Sequence, residues 1–245
     1  MKKPTKPEQS LSVAIITGAS RGIGHELAIG LAQDGFNLVM IARSRSALKS
    51  VLNEVVSLSP AKTTQHTIHS VDVSDDKLIA EVVADTKRKY GKIDLLINNA
   101  GAYTPGTLDI PIRSFEQMMS VNLKGPFVLM KAIIPIMIEQ KSGHVINIAS
   151  RAGKIGLAGD GVYGASKFGL VGLNESLYRE LAGSGISMTA ICPSWVNTEM
   201  AEGAPIEVGE MIQTSDILKT VRWLLSLSPP VRIRELILEC RNNVF

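Results

Sequence analysis

The chain has 245 residues, 45% of them hydrophobic and 20% charged, a composition that can bury a sizeable core and excludes disorder for most of its length. Lys+Arg at 26 against Asp+Glu at 23 leaves a formal charge of +3 without a long basic run, so charge gives no support to a nucleic-acid or membrane-surface partner. Two cysteines, Cys192 and Cys240, make neither a disulfide framework nor a clustered zinc site and favour a reducing compartment. Apolar stretches of the kind at 132–138, with Pro135 inside, fall far short of the roughly 20 residues of a spanning helix. Residues 1–10 (MKKPTKPEQS) lack the apolar segment of a signal peptide and read as a disordered tail on a soluble, cytoplasmic protein.

From residue 11 to 245 the pattern is one domain in which short β-rich apolar runs alternate with longer helical periodicities. Residues 12–17 predict the first strand. The turn Thr17-Gly18-Ala19-Ser20-Arg21-Gly22-Ile23-Gly24 leads from it into a helix over 23–34. Glycines there let backbone approach a pyrophosphate, and the helix N-terminus attracts its charge. Their spacing is G-x-x-x-G-x-G rather than G-x-G-x-x-G. Gly18 to Gly22 also fits the G-x-S-x-G nucleophile elbow, but that elbow needs earlier strands and an upstream loop, and only about a dozen residues precede it.

The second strand, 37–42, ends in Arg43-Ser44-Arg45, and no acid occurs between Asp34 and Glu54. An acid about 20 residues past the glycine turn accepts the ribose 2′-hydroxyl of NAD. Its absence, with Arg43 and Arg21 placed for charge-assisted bonds to a phosphate, predicts a preference for NADP(H). A helix over 47–57, a strand over 64–71 and a helix over 75–90 follow. Ser46-x-x-Lys49 and Ser74-x-x-Lys77 read as helix-start serines. His66 and His69 fall on opposite faces of the predicted strand, so no metal site forms.

Strand 94–98 ends in Asn98-Asn99-Ala100-Gly101, a helix follows over 115–138, and strand 144–148 runs toward Ser150. After the loop 151–161, a helix over 163–182 opens with Tyr163-Gly164-Ala165-Ser166-Lys167. The i,i+4 spacing puts Tyr163 and Lys167 on one face. A neighbouring ammonium favours the phenolate, so the pair predicts a tyrosine with a lowered pKa, able to act as acid or base. Strand 187–192, Pro193 to Thr198, a lid over 199–214, a helix over 216–227 capped by Ser215 or Asp216, and a strand over 236–239 complete the chain. Seven strands alternating with helices predict a doubly wound α/β fold, a parallel sheet with helices on both faces.

Over about residues 12–240 the sequence resembles the short-chain dehydrogenase/reductase superfamily, in its 3-oxoacyl carrier-protein reductase-like branch. Thr17 to Gly24 is similar to its T-G-x-x-x-G-I-G turn and Asn98 to Gly101 to its N-N-A-G strand end. Asn122, Ser150, Tyr163 and Lys167 match its catalytic tetrad. Asp72-Val73 resembles its adenine-contacting pair. Pro193, Val196 and Thr198 fit its P-G-x-V-x-T segment, with Ser194 in place of glycine and Trp195 after it.

The resemblance implies a Rossmann-type fold and hydride transfer between NADP(H) and a small carbonyl or secondary-alcohol substrate. In it Tyr163 exchanges the proton, Ser150 holds the substrate oxygen, Lys167 holds the ribose and Asn122 supports a water relay. It also implies a homo-oligomer, a tetramer or dimer. The 163–182 helix agrees, with Leu170, Leu173 and Leu177 in one stripe and Phe168, Val171 and Tyr178 around it. A 3-oxoacyl carrier-protein reductase is the alternative. Its acidic carrier would need a basic rim, and the charges are mixed: Arg151, Lys154 and Lys141 against Glu199, Glu202, Glu207 and Glu210. A non-catalytic dinucleotide-binding scaffold is the remaining alternative, which an intact tetrad argues against.

Overall fold

The computed structural model describes residues 11–60 and 64–242; the predicted tail over 1–10 lies outside the described residues. Seven strands, β1 (Val13–Thr17), β2 (Asn37–Ala42), β3 (Thr67–Ser70), β4 (Leu95–Asn98), β5 (Gly143–Ile148), β6 (Ile186–Pro193) and β7 (Glu235–Leu238), form one sheet in the order β3-β2-β1-β4-β5-β6-β7. Every pairing is parallel, the Rossmann-type arrangement expected of strands alternating with helices.

Strands β1, β2 and β4 are buried throughout, because α-helices cover both faces and alternate residues supply each core. On one face Ala14, Ile16, Leu38 and Met40 pack with Leu27 and Leu31 of α1 (Gly22–Gln33), Leu48 of α2 (Arg45–Leu58) and Val221 of α7 (Thr214–Ser226). On the other, Val13, Ile15, Val39 and Ile41 meet Ile79 and Val82 of α3 (Asp76–Tyr90) and Leu129, Ile133 and Met137 of α5 (Gly125–Gln140). Leu170 and Val171 of α6 (Gly161–Glu180) pack with Ala190 and Cys192 of β6.

Three local readings change. The predicted 115–138 helix begins at Ile112 and is divided by a π-helical turn, Ser120–Lys124, into α4 (Ile112–Met119) and α5. Although no single apolar run is long, Ile112–Gln140 as a whole is long and apolar enough to cross a membrane, with mean hydropathy 1.5. Within it Leu129, Met130, Ile133 and Met137 are core, whereas Ile112, Phe115, Phe127 and Ile138 are exposed. The cap of α7 is Gln213, not Ser215 or Asp216; Asp216 sits at the third helical position and its Oδ2 accepts from the Gln213 amide at 3.1 Å, a capping box built from a Gln. The strand at 64–71 shortens to Thr67–Ser70 because His66 is diverted. Its Nδ1 accepts from the Leu38 amide at 3.2 Å and its Nε2 meets Ser59 Oγ at 2.9 Å.

The strand order reverses between β1 and β4, and the crevice at the carboxyl ends of these two strands is where a doubly wound sheet binds its ligand. That crevice opens into a cavity of about 680 Å³.

Candidate active site

The wall at the switch point is main chain tied together by two side chains. Thr17 Oγ1, at the end of β1, accepts from the Asn99 and Ala100 amides, each at 2.9 Å. Asn99 Nδ2 donates back to the carbonyls of Thr17 at 2.9 Å and Gly18 at 3.3 Å. The glycine turn is thus laced to the end of β4 with no room for side chains. A Cβ on Gly24 would sit 2.2 Å from the Gly18 carbonyl oxygen and 2.5 Å from Asn99 Nδ2, and Gly18 has a left-handed φ of 64°. Ser20, Arg21, Gly22 and Ile23 line the cavity beside this turn.

Further along the same wall lie Arg43, at the end of β2, and Asp72-Val73. Partial burial pushes the Asp72 carboxyl up, but bonds from Ser74, amide at 2.9 Å and hydroxyl at 2.6 Å, with Arg43 and Lys124 nearby, hold it below its ordinary range. Val73 seats against Gly125 at the start of α5. Arg21 forms an ion pair across the cavity with Glu199, both side chains largely exposed.

The opposite wall brings Ser150, Tyr163 and Lys167 together. Ser150 follows β5; its Oγ accepts from the Ala152 amide at 3.1 Å, opening the 3₁₀ turn Arg151–Gly153, and its hydroxyl lies close enough to Tyr163 to favour the phenolate. Lys167 is buried one helical turn beyond Tyr163, with Nζ donating to the Ile148 carbonyl at 3.0 Å and lying 5.7 Å from the Tyr163 ring centroid. Asn122 is wholly buried on the π turn. Its Oδ1 accepts from the Ala102 amide at 2.7 Å, and its Nδ2 donates to the Ala102 carbonyl at 2.9 Å and Ser166 Oγ at 3.0 Å. The extra residue of a π turn aims Asn122 at the loop after β4. Pro193, Val196 and Thr198 close the cavity at the end of β6.

Residues 12–207 match the short chain dehydrogenase family. The chain belongs to the short-chain dehydrogenase/reductase family. Among its relatives is an uncharacterized oxidoreductase of Staphylococcus epidermidis, 31% identical over 224 residues that cover 91% of this chain and 94% of that protein. A crystal structure of a beta-ketoacyl-[ACP] reductase from Bacteroides thetaiotaomicron is 40% identical, covers 95% of this chain and 98% of its own, and superposes with a TM-score of 0.83. That likeness puts the chain in the carrier-protein reductase-like branch. An alcohol dehydrogenase from the archaeon Thermococcus sibiricus, solved with 5-hydroxy-NADP, has 27% identity, coverage of 94% and 97%, and a TM-score of 0.86. The chain is therefore an oxidoreductase, and the likeness supports a nicotinamide dinucleotide as its cofactor.

Every site residue expected of a short-chain dehydrogenase lies on this cavity, except Gly24 and Asn122, which stand behind its wall and shape it, but three roles differ from the expectation. The Tyr163 pKa is not lowered. Desolvation pushes it up to about 12, with the Asp160 carboxylate adding to the rise and the Ser150 hydrogen bond only opposing it. The same burial depresses Lys167 to about 8, so the ammonium that was to stabilise the phenolate is itself disfavoured. The Asn122 side chain is committed to Ala102 and Ser166, which makes it a clamp between the β4 loop and α6. Arg21, predicted to face a phosphate, is held by Glu199.

Other residues carried no sequence signal. Tyr103 Oη donates to Asp160 Oδ1 at 2.8 Å, and its ring meets the Tyr163 ring edge-on, centroids 5.1 Å apart. Behind the site a chain of buried amides runs from Asn98 Nδ2 to Asn147 Oδ1 at 2.8 Å, and from Asn147 Nδ2 to Asn174 Oδ1 at 3.0 Å.

Proposed function

We propose that this chain is an NADP(H)-dependent carbonyl reductase or secondary-alcohol dehydrogenase. The observation that carries this reading is the meeting of Ser150, Tyr163 and Lys167 on one cavity with a glycine turn that only main chain can line. The dinucleotide fits the residues present: glycines whose Cβ would collide, a helix N-terminus, Arg43 at the ribose end, and the buried Ser194 Oγ, which has no hydrogen-bond partner. Gly18, Ser20, Gly22 and Ile23 would hold the pyrophosphate, Arg43 a 2′-phosphate, Asp72 and Val73 the adenine. Asn99 to Gly101 with Pro193, Val196 and Thr198 would frame the nicotinamide, with Gly24 allowing the close approach. When bound, the nicotinamide supplies or accepts the hydride.

The chain's own part is to hold an oxygen and move a proton. A tyrosine whose pKa stands near 12 is fully protonated at neutral pH, which suits it to donate a proton to a carbonyl oxygen that Ser150 orients. Lys167, protonated below about 8, places positive charge beside that phenol as it loses its proton, and the same ammonium would hold a ribose hydroxyl of the dinucleotide. Any relay through Asn122 toward Lys167 belongs to the same proposal.

A 3-oxoacyl carrier-protein reductase is the second reading, favoured by the Bacteroides likeness. Electrostatics count against it. Arg151 is buried and pairs with Glu239 at 3.1 Å, Lys154 pairs with Glu235 at 2.9 Å, and Lys141 precedes β5 at the far end of the sheet. The basic rim an acidic carrier needs is thus already neutralised.

A homo-oligomer is proposed from the half-exposed Phe127 on α5 and Phe168 on α6, large apolar groups on adjoining helices. A cytoplasmic location is consistent with Cys192 and Cys240, both free and buried. Purified protein assayed with ketones, 3-oxoacyl thioesters, steroids and sugars against NADPH and NADH tests the activity; light scattering tests the assembly. Reduction of ketones with NADPH is expected. Turnover of thioesters alone would favour the second reading, and no turnover with any carbonyl would leave the scaffold.

A further inference from the structure

Asp160 occupies the boundary residue of α6, where an aspartate ordinarily accepts from the helix's first free amides, an arrangement worth roughly 0.5–2 kcal/mol. Its side chain makes no capping bond. It turns into the cavity, where Oδ1 accepts from Tyr103 Oη at 2.8 Å. Among the described residues no Lys, Arg or His forms an ion pair with it. The charge also sits badly for the chemistry, because it works against a phenolate at Tyr163. A carboxylate that forgoes its cap and opposes its neighbour's ionisation is placed for something else.

The pair is held in place from both sides. The Gly106 amide donates to the Gly159 carbonyl and the Gly161 amide to Thr107 Oγ1, zipping the loop after β4 to the loop before α6. Tyr103 lies edge-on to the Tyr163 ring, so the dyad stands about one ring from the proton donor. Leu157, Trp195 and Met200 bring apolar surface to the same cavity.

We infer that Tyr103 and Asp160 form the polar subsite of the substrate pocket, and that the substrate is a hydroxylated carbonyl compound whose hydroxyl lies a few bonds from the reacting carbon. This inference rests on the reductase reading. With the Tyr103 proton engaged by Asp160, the pair presents acceptors, the free lone pairs of the phenol and the carboxylate, to a group that donates, as a hydroxyl does. An ammonium would donate as well, so an amino ketone of the same spacer preferred over the hydroxy ketone overturns the assignment of a hydroxyl. A carboxylate or phosphate has no donor for Asp160 and meets its charge.

The test compares kcat/KM, with NADPH, for methyl ketones carrying a hydroxyl two, three or four carbons beyond the carbonyl, each against its partner lacking it. For the spacer that fits, the unmodified protein is expected to prefer the hydroxy ketone by about tenfold or more. Asp160→Asn and Tyr103→Phe should each bring that ratio toward one. Because the ratio is internal to each variant, a general loss of activity or partial unfolding does not move it. A ratio near one at every spacer in the unmodified protein, or a ratio unchanged in both variants, overturns the inference. If no ketone turns over, calorimetry of the matched alcohols and diols on the protein with NADP reads the same ratio. Selectivity for the diol there would break the reductase reading and keep the subsite; its absence would overturn the subsite as well.

Discussion

The two walls of the cavity are made of different material. The dinucleotide wall is a glycine turn clasped to the end of β4: the Thr17 and Asn99 side chains bond main-chain groups of Thr17, Gly18, Asn99 and Ala100, and glycine is required because any Cβ at position 24 collides. The substrate wall is side chains on loops that meet only in the folded chain, such as Tyr103 and Asp160, 57 residues apart. Such a wall dictates residue types within short stretches of sequence. A side-chain wall can change without touching the sheet, so it is where members of one family part company.

The largest effects should come from the two residues that define the walls. Tyr163→Phe removes the proposed proton donor and nothing from the glycine turn. Turnover is expected to fall by roughly 10² to 10⁴ while NADPH binding, followed by its fluorescence, persists. Near-normal turnover would remove Tyr163 from the mechanism. Gly24→Ala does the reverse. Its Cβ would lie 2.2 Å from the Gly18 carbonyl oxygen, so the main chain must move, at an overpacking cost of about 1–3 kcal/mol. A lowered melting temperature and NADPH affinity down by tenfold or more are expected. Wild-type affinity in this variant would show that the backbone wall is less exacting than its contacts indicate.

The same contrast decides what was legible in the sequence. Strand 37–42 reads in full because burial on both faces leaves an unbroken apolar run, and the glycine turn reads because its residue types are dictated locally. The π turn at Ser120–Lys124 does not, since an i→i+5 bond leaves no periodicity of its own and the helical pattern runs through it. Tyr163 and Lys167 were placed by spacing, but their titration was not, because desolvation depends on everything packed around them. Asn147 and Asn174 are single polar residues on a strand and a helix; only the fold shows them bonded in the core. Tyr103 and Asp160 have no motif, because β4 and α6 bring them together by topology.

Lys167 sits at the seam of the two walls, and its titration gives a sharper test. Its folded pKa of about 8 is below the ordinary 10.5. Between these values the unfolded chain holds a proton that the folded one has released, so stability should rise with pH through that window. Below about 8 the buried charge costs about 3 kcal/mol. Lys167→Met removes that cost and also the bond to the Ile148 carbonyl, worth roughly 1 kcal/mol. The variant should therefore be inactive yet about 2 kcal/mol more stable at pH 7, by denaturant unfolding, with the advantage gone by about pH 10.5. A destabilised variant at pH 7 would show that the ammonium is well solvated or compensated.

The smallest effect expected concerns the charged side chains of the dinucleotide wall. Arg43 is exposed at the end of β2 and lies close enough to Asp72 to lower its pKa. Arg21, the other candidate for a 2′-phosphate, is held by Glu199. That pair is largely exposed, and exposed pairs contribute only about 0–1 kcal/mol, so a phosphate can draw Arg21 away at little cost. Among the described residues Arg43 forms no ion pair, and it should carry most of the discrimination. A charge-assisted bond of about 1.5–3 kcal/mol corresponds to tenfold or more, less the screening an exposed site suffers. Arg43→Ala should lower NADPH affinity by about tenfold, leave NADH affinity nearly unchanged, and reduce the salt dependence of NADPH binding. Equal losses for both cofactors would make Arg43 a general contact of the wall, and an unmodified protein that binds NADH as well as NADPH would refute the preference itself.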